Sequence, residues 1–183
     1  WLGTRRGLFH FDARENRLLA NAATAGLRVY AVAQDGDTLL LGTDKGIYRF
    51  NPQSQALQRL PLPAKVGQPY VDFIVVEAQR VFVSTRDAEL FVLNRELQTV
   101  LAHHRLDSRA HFMTQFDASS KILGGDKGLY WFSNDGMRVM HRLRAKPSVQ
   151  NGLRSDTCHG FLRANDGQLW LATAAGLHRM QIT

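Results

Sequence analysis

The sequence holds a single cysteine, Cys158, and five prolines in 183 residues. One thiol cannot close an internal disulfide, nor can it supply the paired thiolates of a cysteine-based metal site, so thiol usage is compatible with cytoplasm or periplasm. No apolar run approaches the roughly 20 residues that cross a bilayer as a helix. The longest, such as Phe73 to Val76 and Leu39 to Leu41, are strand-sized. No stretch carries an apolar stripe at helical spacing over three turns, which points away from helical architectures. A leader peptide is also missing, but the chain opens on Trp1-Leu2-Gly3, inside a pattern that recurs later, so this absence says little. Acidic residues are the minority: 23 Lys and Arg less 16 Asp and Glu leave a formal charge of +7. That excess favours an anionic partner. The charges are scattered, however, and the densest basic stretch, Arg138 to Lys146, alternates with Val139, Met140 and Leu143 as a half-exposed strand does. Without a helical or aromatic-interleaved basic motif, nucleic acid is not an expected partner.

What the sequence does have is a repeat. With 44% hydrophobic residues the chain is long enough to bury a core of single-domain size. One ten-residue phrase recurs five times, opening as Leu2-Gly3-Thr4-Arg5-Arg6-Gly7-Leu8-Phe9-His10-Phe11. It returns as Leu41-Gly42-Thr43-Asp44-Lys45-Gly46-Ile47-Tyr48, in degenerate form as Val83-Ser84-Thr85-Arg86-Asp87-Ala88-Glu89-Leu90, then as Leu123-Gly124-Gly125-Asp126-Lys127-Gly128-Leu129 and Leu171-Ala172-Thr173-Ala174-Ala175-Gly176-Leu177. Successive spacings from Gly3 through Gly42, Ser84 and Gly124 to Ala172 are 39, 42, 40 and 48 residues. Each phrase reads as a hairpin: an apolar strand, two polar residues, a glycine, and a second strand. A type I turn followed by a left-handed residue explains the final glycine, because a Cβ there costs roughly 1–2 kcal/mol. The third copy has an extra residue and Glu89 where the glycine falls, so a different turn is expected there.

Alternating segments flank the hairpins upstream, as in Val29 to Ala33, Val71 to Val75, Phe112 to Phe116 and His159 to Leu162, and downstream, as in Ala56 to Leu60, Thr99 to His103 and Arg138 to Arg142. The unit is thus a four-stranded antiparallel meander of about 40 residues, the size of a β-propeller blade. A stacked β-solenoid is the runner-up, though its coils are shorter. The expected organisation is one propeller segment over 1–183: a partial blade 1–22, blades 23–64, 65–106 and 107–150, and a partial blade 151–183, with Pro61, Pro63, Pro69 and Pro147 between units. Such a set is expected to be an excerpt of a larger ring, or to find its neighbouring blades elsewhere, since every blade needs its apolar face covered.

The fifth unit, with Asp166-Gly167-Gln168-Leu169-Trp170-Leu171-Ala172-Thr173 and Gly176-Leu177-His178-Arg179, resembles the two-component regulator propeller repeat, and the second unit repeats the theme in Asp35-Gly36-Asp37-Thr38-Leu39-Leu40-Leu41-Gly42-Thr43. The opening Trp1-Leu2-Gly3-Thr4 is the core of the same pattern, whereas the third unit departs from it at Ser84 and lacks the Asp-Gly turn. The resemblance implies an extracytoplasmic, periplasmic sensor region of an inner-membrane regulator such as a hybrid histidine kinase. It also implies that a homodimer could form through the full-length sensor. Fold analogy alone is a weak warrant for function.

Candidate chemistry is sparse. His103-His104 and Cys158-His159 are adjacent pairs whose side chains alternate across a strand, so neither pair readily serves one ion or one reaction. Asp35, Asp135 and Asp166 precede glycines but lack the further acids of a calcium loop and read as turns. Asp12, Asn51 and Asn94 follow third strands and are expected to close turns through their side chains. Trp1, Trp131 and Trp170 are expected to pack between blades. No catalytic residue, metal site or cofactor is expected. The turns joining second and third strands lie on the face where each blade is entered, and four of the five carry a cation. Arg6, Lys45, Arg86 and Lys127, with Arg28 and His159 from the blade entrances, are therefore the candidate ligand-binding rim for a small solute or oligosaccharide, apart from neighbouring blades or domains of the same protein. A sensing propeller is the expected function, an interaction scaffold the alternative, and a propeller enzyme the least favoured class.

Overall fold

A computed structural model describes residues 1–146 and 152–180. Pro147, and Asn151 at the head of the fifth repeat, lie outside the described residues. The chain divides into two compact units, Trp1–His104 and Arg105–Thr183.

The first unit holds three antiparallel sheets. The first comprises β1 (Leu2–Thr4), β2 (Gly7–Asp12) and β3 (Arg17–Ala20), in that order. Next come β4 (Val29–Asp35), β5 (Thr38–Thr43), β6 (Gly46–Phe50) and β7 (Leu57–Arg59), again side by side in chain order. In the third, β8 (Val71–Val76), β9 (Arg80–Thr85) and β10 (Glu89–Asn94) are followed by β11 (Val100–Arg105), which carries the chain to the second unit. That unit contains the sheet of β12 (Ala110–Asp117), β13 (Ser120–Gly125), β14 (Gly128–Ser133) and β15 (Val139–Leu143), then β16 (Cys158–Arg163), β17 (Leu169–Thr173) and β18 (Gly176–Met180). All five sheets are meanders without crossovers, and the fold is all-β, built of β-propeller blades.

The middle strands explain why the apolar runs are continuous rather than alternating. In β5, Leu39 and Leu41 face a cluster with Leu8, Val29 and Phe50, while Leu40 faces the opposite cluster with Val71, Val83 and Phe91. Side chains alternate with period two, so a strand sandwiched between two blades needs an apolar residue at every position. Leu40 and Leu41 are fully buried, and burying each such side chain is worth roughly 1.5–3 kcal/mol. In the second unit Phe116, Ile122, Leu129, Cys158, Leu169 and Leu171 form the corresponding core between its two sheets.

The recurring Leu-Gly-Thr has two separate physical causes. A Cβ on Gly42 would sit 2.5 Å from Val71 Cγ1 and 2.9 Å from Ala31 Cβ, so the absence of a side chain there lets the next blade's first strand approach. The threonine closes the turn from inside: Thr43 Oγ1 donates to the Gly46 carbonyl (2.9 Å) and accepts from the Lys45 N–H (3.0 Å). Thr4 and Thr173 repeat the same pair of bonds in their own turns. Gly46 has φ +96°, the conformation expected of it, whereas in the third copy Ala88 takes the positive φ, +60°, in a turn one residue longer. Asp12, Asn51 and Asn94 each accept two backbone N–H groups through their side-chain oxygens, closing the turns as anticipated. The residues following Asp35 and Asp166, Gly36 and Gly167, have positive φ and make turns, and Asp135 Oδ1 accepts the Met137 N–H.

Candidate functional site

Four first strands lead into blades, and each breaks its ladder at the same place. In β4 the register passes from Val29–Thr43 to Ala31–Gly42, leaving Tyr30 without a partner residue. The same bulge leaves out Asp72 in β8, His111 in β12 and His159 in β16. A β-bulge re-aims the extra side chain and increases local twist, and bulges recur beside binding sites. Here the residue before each bulge, Val29, Val71, Ala110 or Cys158, is buried, and the bulged residue is the polar or aromatic one. The entrance segments also fasten the hairpin turns. Arg86 N–H donates to the Tyr70 carbonyl (2.8 Å), Asp126 N–H to Arg109 (3.1 Å) and Ala174 N–H to Thr157 (3.0 Å).

In the first unit this geometry assembles a cluster of two tyrosines, one arginine and one aspartate. The rings of Tyr30 and Tyr70 lie 4.6 Å apart at 39°. Arg86, from the β9–β10 turn, lies with Cζ 3.5 Å from the Tyr70 centroid and 5.3 Å from that of Tyr30. Its Nη2 stands 3.5 Å from Oδ1 of Asp72, whose side chain is 7% exposed. Such cation–π contacts contribute about 0.5–2 kcal/mol, more as water is excluded. Burial, with the neighbouring Tyr30 phenol, raises the Tyr70 pKa, so its hydroxyl is a donor at neutral pH. The buried Nε of Arg86 has no hydrogen-bond partner. Arg86 is thus folded against an aromatic pair, not extended from the turn.

Of the other predicted rim residues in this unit, Arg6 and Lys45 are exposed at their turns. Arg28 is exposed, with Nε 3.9 Å from Asp44 Oδ2. In the second unit Lys127 and His159 are both exposed. His159 lies 5.7 Å, ring to ring, from His111, whose Nε2 is 2.6 Å from Asp126 Oδ1. Among the described residues no group of three His, Cys, Asp or Glu is disposed to hold a metal ion. Cys158 is fully buried and its thiol is pushed up to about 11, mainly by burial, so it is not a ready thiolate. His103 stacks on Phe91 at 4.4 Å and meets Glu89 through Nε2 at 3.2 Å, as a packed residue of an outer strand.

The sequence reading missed Tyr30, Tyr70, Asp72 and His111. A signal was present: each bulged residue follows a small or β-branched buried residue at the head of a first strand, in Val29-Tyr30, Val71-Asp72, Ala110-His111 and Cys158-His159.

The arrangement defines a β-propeller repeat protein with a polar and aromatic blade-entrance face. No family model and no curated protein matches the chain. Among solved structures, the extracellular domain of the B. thetaiotaomicron one component system BT4673 superposes with a TM-score of 0.77 at 18% identity, over 100% of this chain and 26% of that one. A second structure, described as the extracellular domain of the hybrid two component system BT4673, gives 0.74 at 17% identity, over 98% and 25% of the respective chains. A chain of a mitotic checkpoint complex gives 0.68 at 12% identity, covering 95% of this chain and 54% of that one. The chain therefore spans about a quarter of the length of the two extracellular domains. Likeness to proteins with such different roles fixes the fold, and function has to be argued from the site.

Proposed function

We propose that the chain is a ligand-sensing propeller segment of a bacterial membrane-associated signalling regulator, positioned outside the cytoplasm, whose blade-entrance face binds a small solute or glycan fragment. The observation that carries the binding half is the repeated bulge, which directs Tyr30, Asp72, His111 and His159 to the entrances of their blades. Superposition of this chain on about a quarter of each of two extracellular domains of bacterial regulatory systems supports the sensing half. The tilted Tyr30–Tyr70 pair supplies apolar surface for a sugar face, and Arg86 with Asp72 supplies donors and acceptors for its hydroxyls. Nothing in this cluster has the nucleophile and base pairing of a catalytic site, and the reading is of a binding module.

The test is a panel of neutral and acidic oligosaccharides screened by saturation-transfer NMR, followed by titration of Tyr70→Ala and Arg86→Gln variants. Binding that weakens about tenfold in either variant supports the cluster as the site. A panel without binders, together with a full-length regulator whose output ignores both substitutions, removes the sensing reading. An interaction scaffold is the second reading. Leu162 and Leu177, 63% and 66% exposed in the last sheet, are the feature that favours it.

A further inference from the structure

The first unit contains a cavity of about 440 Å³ whose lining includes none of Tyr30, Tyr70, Asp72 and Arg86. That volume is within the range of small-molecule pockets, roughly 300–1,000 Å³. Its walls come from the β5–β6 turn, the end of β7 and the loop that leads to β8: Lys45, Arg59, Leu60, Pro61, Leu62 and Gln68. Leu60 and Leu62 are half-buried and pack on the core between the second and third sheets, so the floor is apolar and anchored.

The walls are held in place by backbone bonds that leave the cationic heads free. Gly46 N–H donates to the Pro69 carbonyl (3.0 Å) and Leu60 N–H to the Ile47 carbonyl (2.9 Å), while Val66 and Gly67 N–H groups both donate to Pro63 (2.8 and 3.0 Å). Arg59 Nη2 donates to the Lys45 carbonyl at 3.0 Å, which ties the two cationic residues together and leaves the other guanidinium N–H groups unspent. No carboxylate lines the cavity, and the nearest acid in the turn, Asp44, faces Arg28. Two cations and a side-chain amide lining one cavity with an apolar floor match an anion that has an apolar body.

We infer that this cavity is a second binding site, for a small organic carboxylate. The carboxylate lies between Lys45 and Arg59, the body rests on Leu60, Pro61 and Leu62, and Gln68 hydrogen-bonds any hydroxyl the body carries. The site is separate from the tyrosine cluster and does not depend on that cluster binding a glycan. A free organic acid and a sugar acid share the carboxylate, and the polarity of the body distinguishes them.

The experiment titrates cyclohexanecarboxylate, glucuronate and the neutral cyclohexylmethanol into the 183-residue chain, followed through backbone amide NMR shifts. One or both carboxylates shift the Gly67 and Gln68 amides in a saturable way and cyclohexylmethanol binds at least tenfold more weakly. Tighter binding of cyclohexanecarboxylate identifies a free apolar acid as the ligand type, tighter binding of glucuronate a sugar acid. Lys45→Gln with Arg59→Gln lowers carboxylate affinity about tenfold, and Lys45→Gln alone, at an exposed turn, about threefold, whereas Arg6→Gln and Arg86→Gln leave it unchanged. Equal binding of the neutral alcohol, no shift at Gly67 and Gln68 with either carboxylate, or undiminished affinity in a folded Lys45→Gln variant overturns the assignment. Loss of oligosaccharide binding in Arg86→Gln with carboxylate binding intact separates this site from the one on the tyrosines.

Discussion

The hairpins of the second and third blades occupy equivalent places but solve the same turn differently. In the second, Gly42, Thr43 and Gly46 follow the repeat: no side chain at the close approach to Val71, a hydroxyl that closes the loop, and a glycine at φ +96°. In the third, Ser84 stands where Gly42 does, its buried hydroxyl lacking a partner, and Ala88 holds φ +60° in a loop one residue longer. The longer loop is the one that lays Arg86 across Tyr70 and beside Asp72. Departure from the repeat therefore coincides with the turn whose arginine is drawn into the tyrosine cluster. Local rules tend to be broken where a site requires it.

The comparison breaks most sharply at Gly42. Gly42→Val forces side-chain atoms against Val71 and Ala31 and is expected to destabilise by about 3 kcal/mol, read from the urea midpoint. Ser84→Gly at the equivalent position stays within about 1 kcal/mol of the parent, since it deletes a hydroxyl that is unsatisfied.

Next in size is the tie between the two blades at the end opposite the entrance face. Asp35, 9% exposed, accepts from Arg95 of the third blade and from Arg49 Nη2 of its own at 3.2 Å. The Arg95 hydrogen bond, opposed by burial and aided by both guanidinium charges, holds the Asp35 carboxyl below its ordinary range. A folded-state pKa lower than the unfolded one stabilises the protein above the unfolded value, about 3.9, and that stabilisation is lost as pH falls through the folded value. Asp35→Asn is expected to cost about 2 kcal/mol at pH 7. Denaturation midpoints of the two proteins converge as pH falls below about 4. A gap that stays constant from pH 7 to pH 3 would show that the pair contributes nothing electrostatic.

Smaller effects test the turns themselves. Gly46→Ala places a Cβ at φ +96° and costs about 1–2 kcal/mol. Ala88→Gly goes the other way by about 0.5–1 kcal/mol, because relief at φ +60° exceeds the entropy that glycine adds to the unfolded chain. Thr43→Val removes a buried hydroxyl that both donates and accepts, and costs about 1 kcal/mol. If Ala88→Gly destabilises while Gly46→Ala does so only weakly, the two loops are not alternative solutions to one turn.

Much of the fold was legible because it is written locally. A Gly-Thr-x-x-Gly hairpin states its own turn, and recurrence about every 40 residues states the blade. The side-chain caps of Asp12, Asn51 and Asn94 are equally local. The site was legible only in part. Arg86 and His159 could be placed on the entrance face, since their turn and strand were recognised. Tyr30 and Asp72 were missed, although their strands were recognised, because the bulge that shifts the side-chain alternation by one shows itself in the pairing with the neighbouring strand. His111 escaped for the same reason.

The sequence by itself determined the strand order, the hairpin turns and the blade repeat, because each follows from φ preferences, short-range hydrogen bonds and period-two burial within a few residues. Tertiary structure decided which groups meet: Tyr30 with Tyr70 across two blades, Asp35 with Arg95 sixty positions apart, and the Arg59 guanidinium with the Lys45 carbonyl beside a cavity. Those meetings depend on where the bulges turn the chain and how closely Gly42 lets the next blade approach, and they arise only once the sheets have packed.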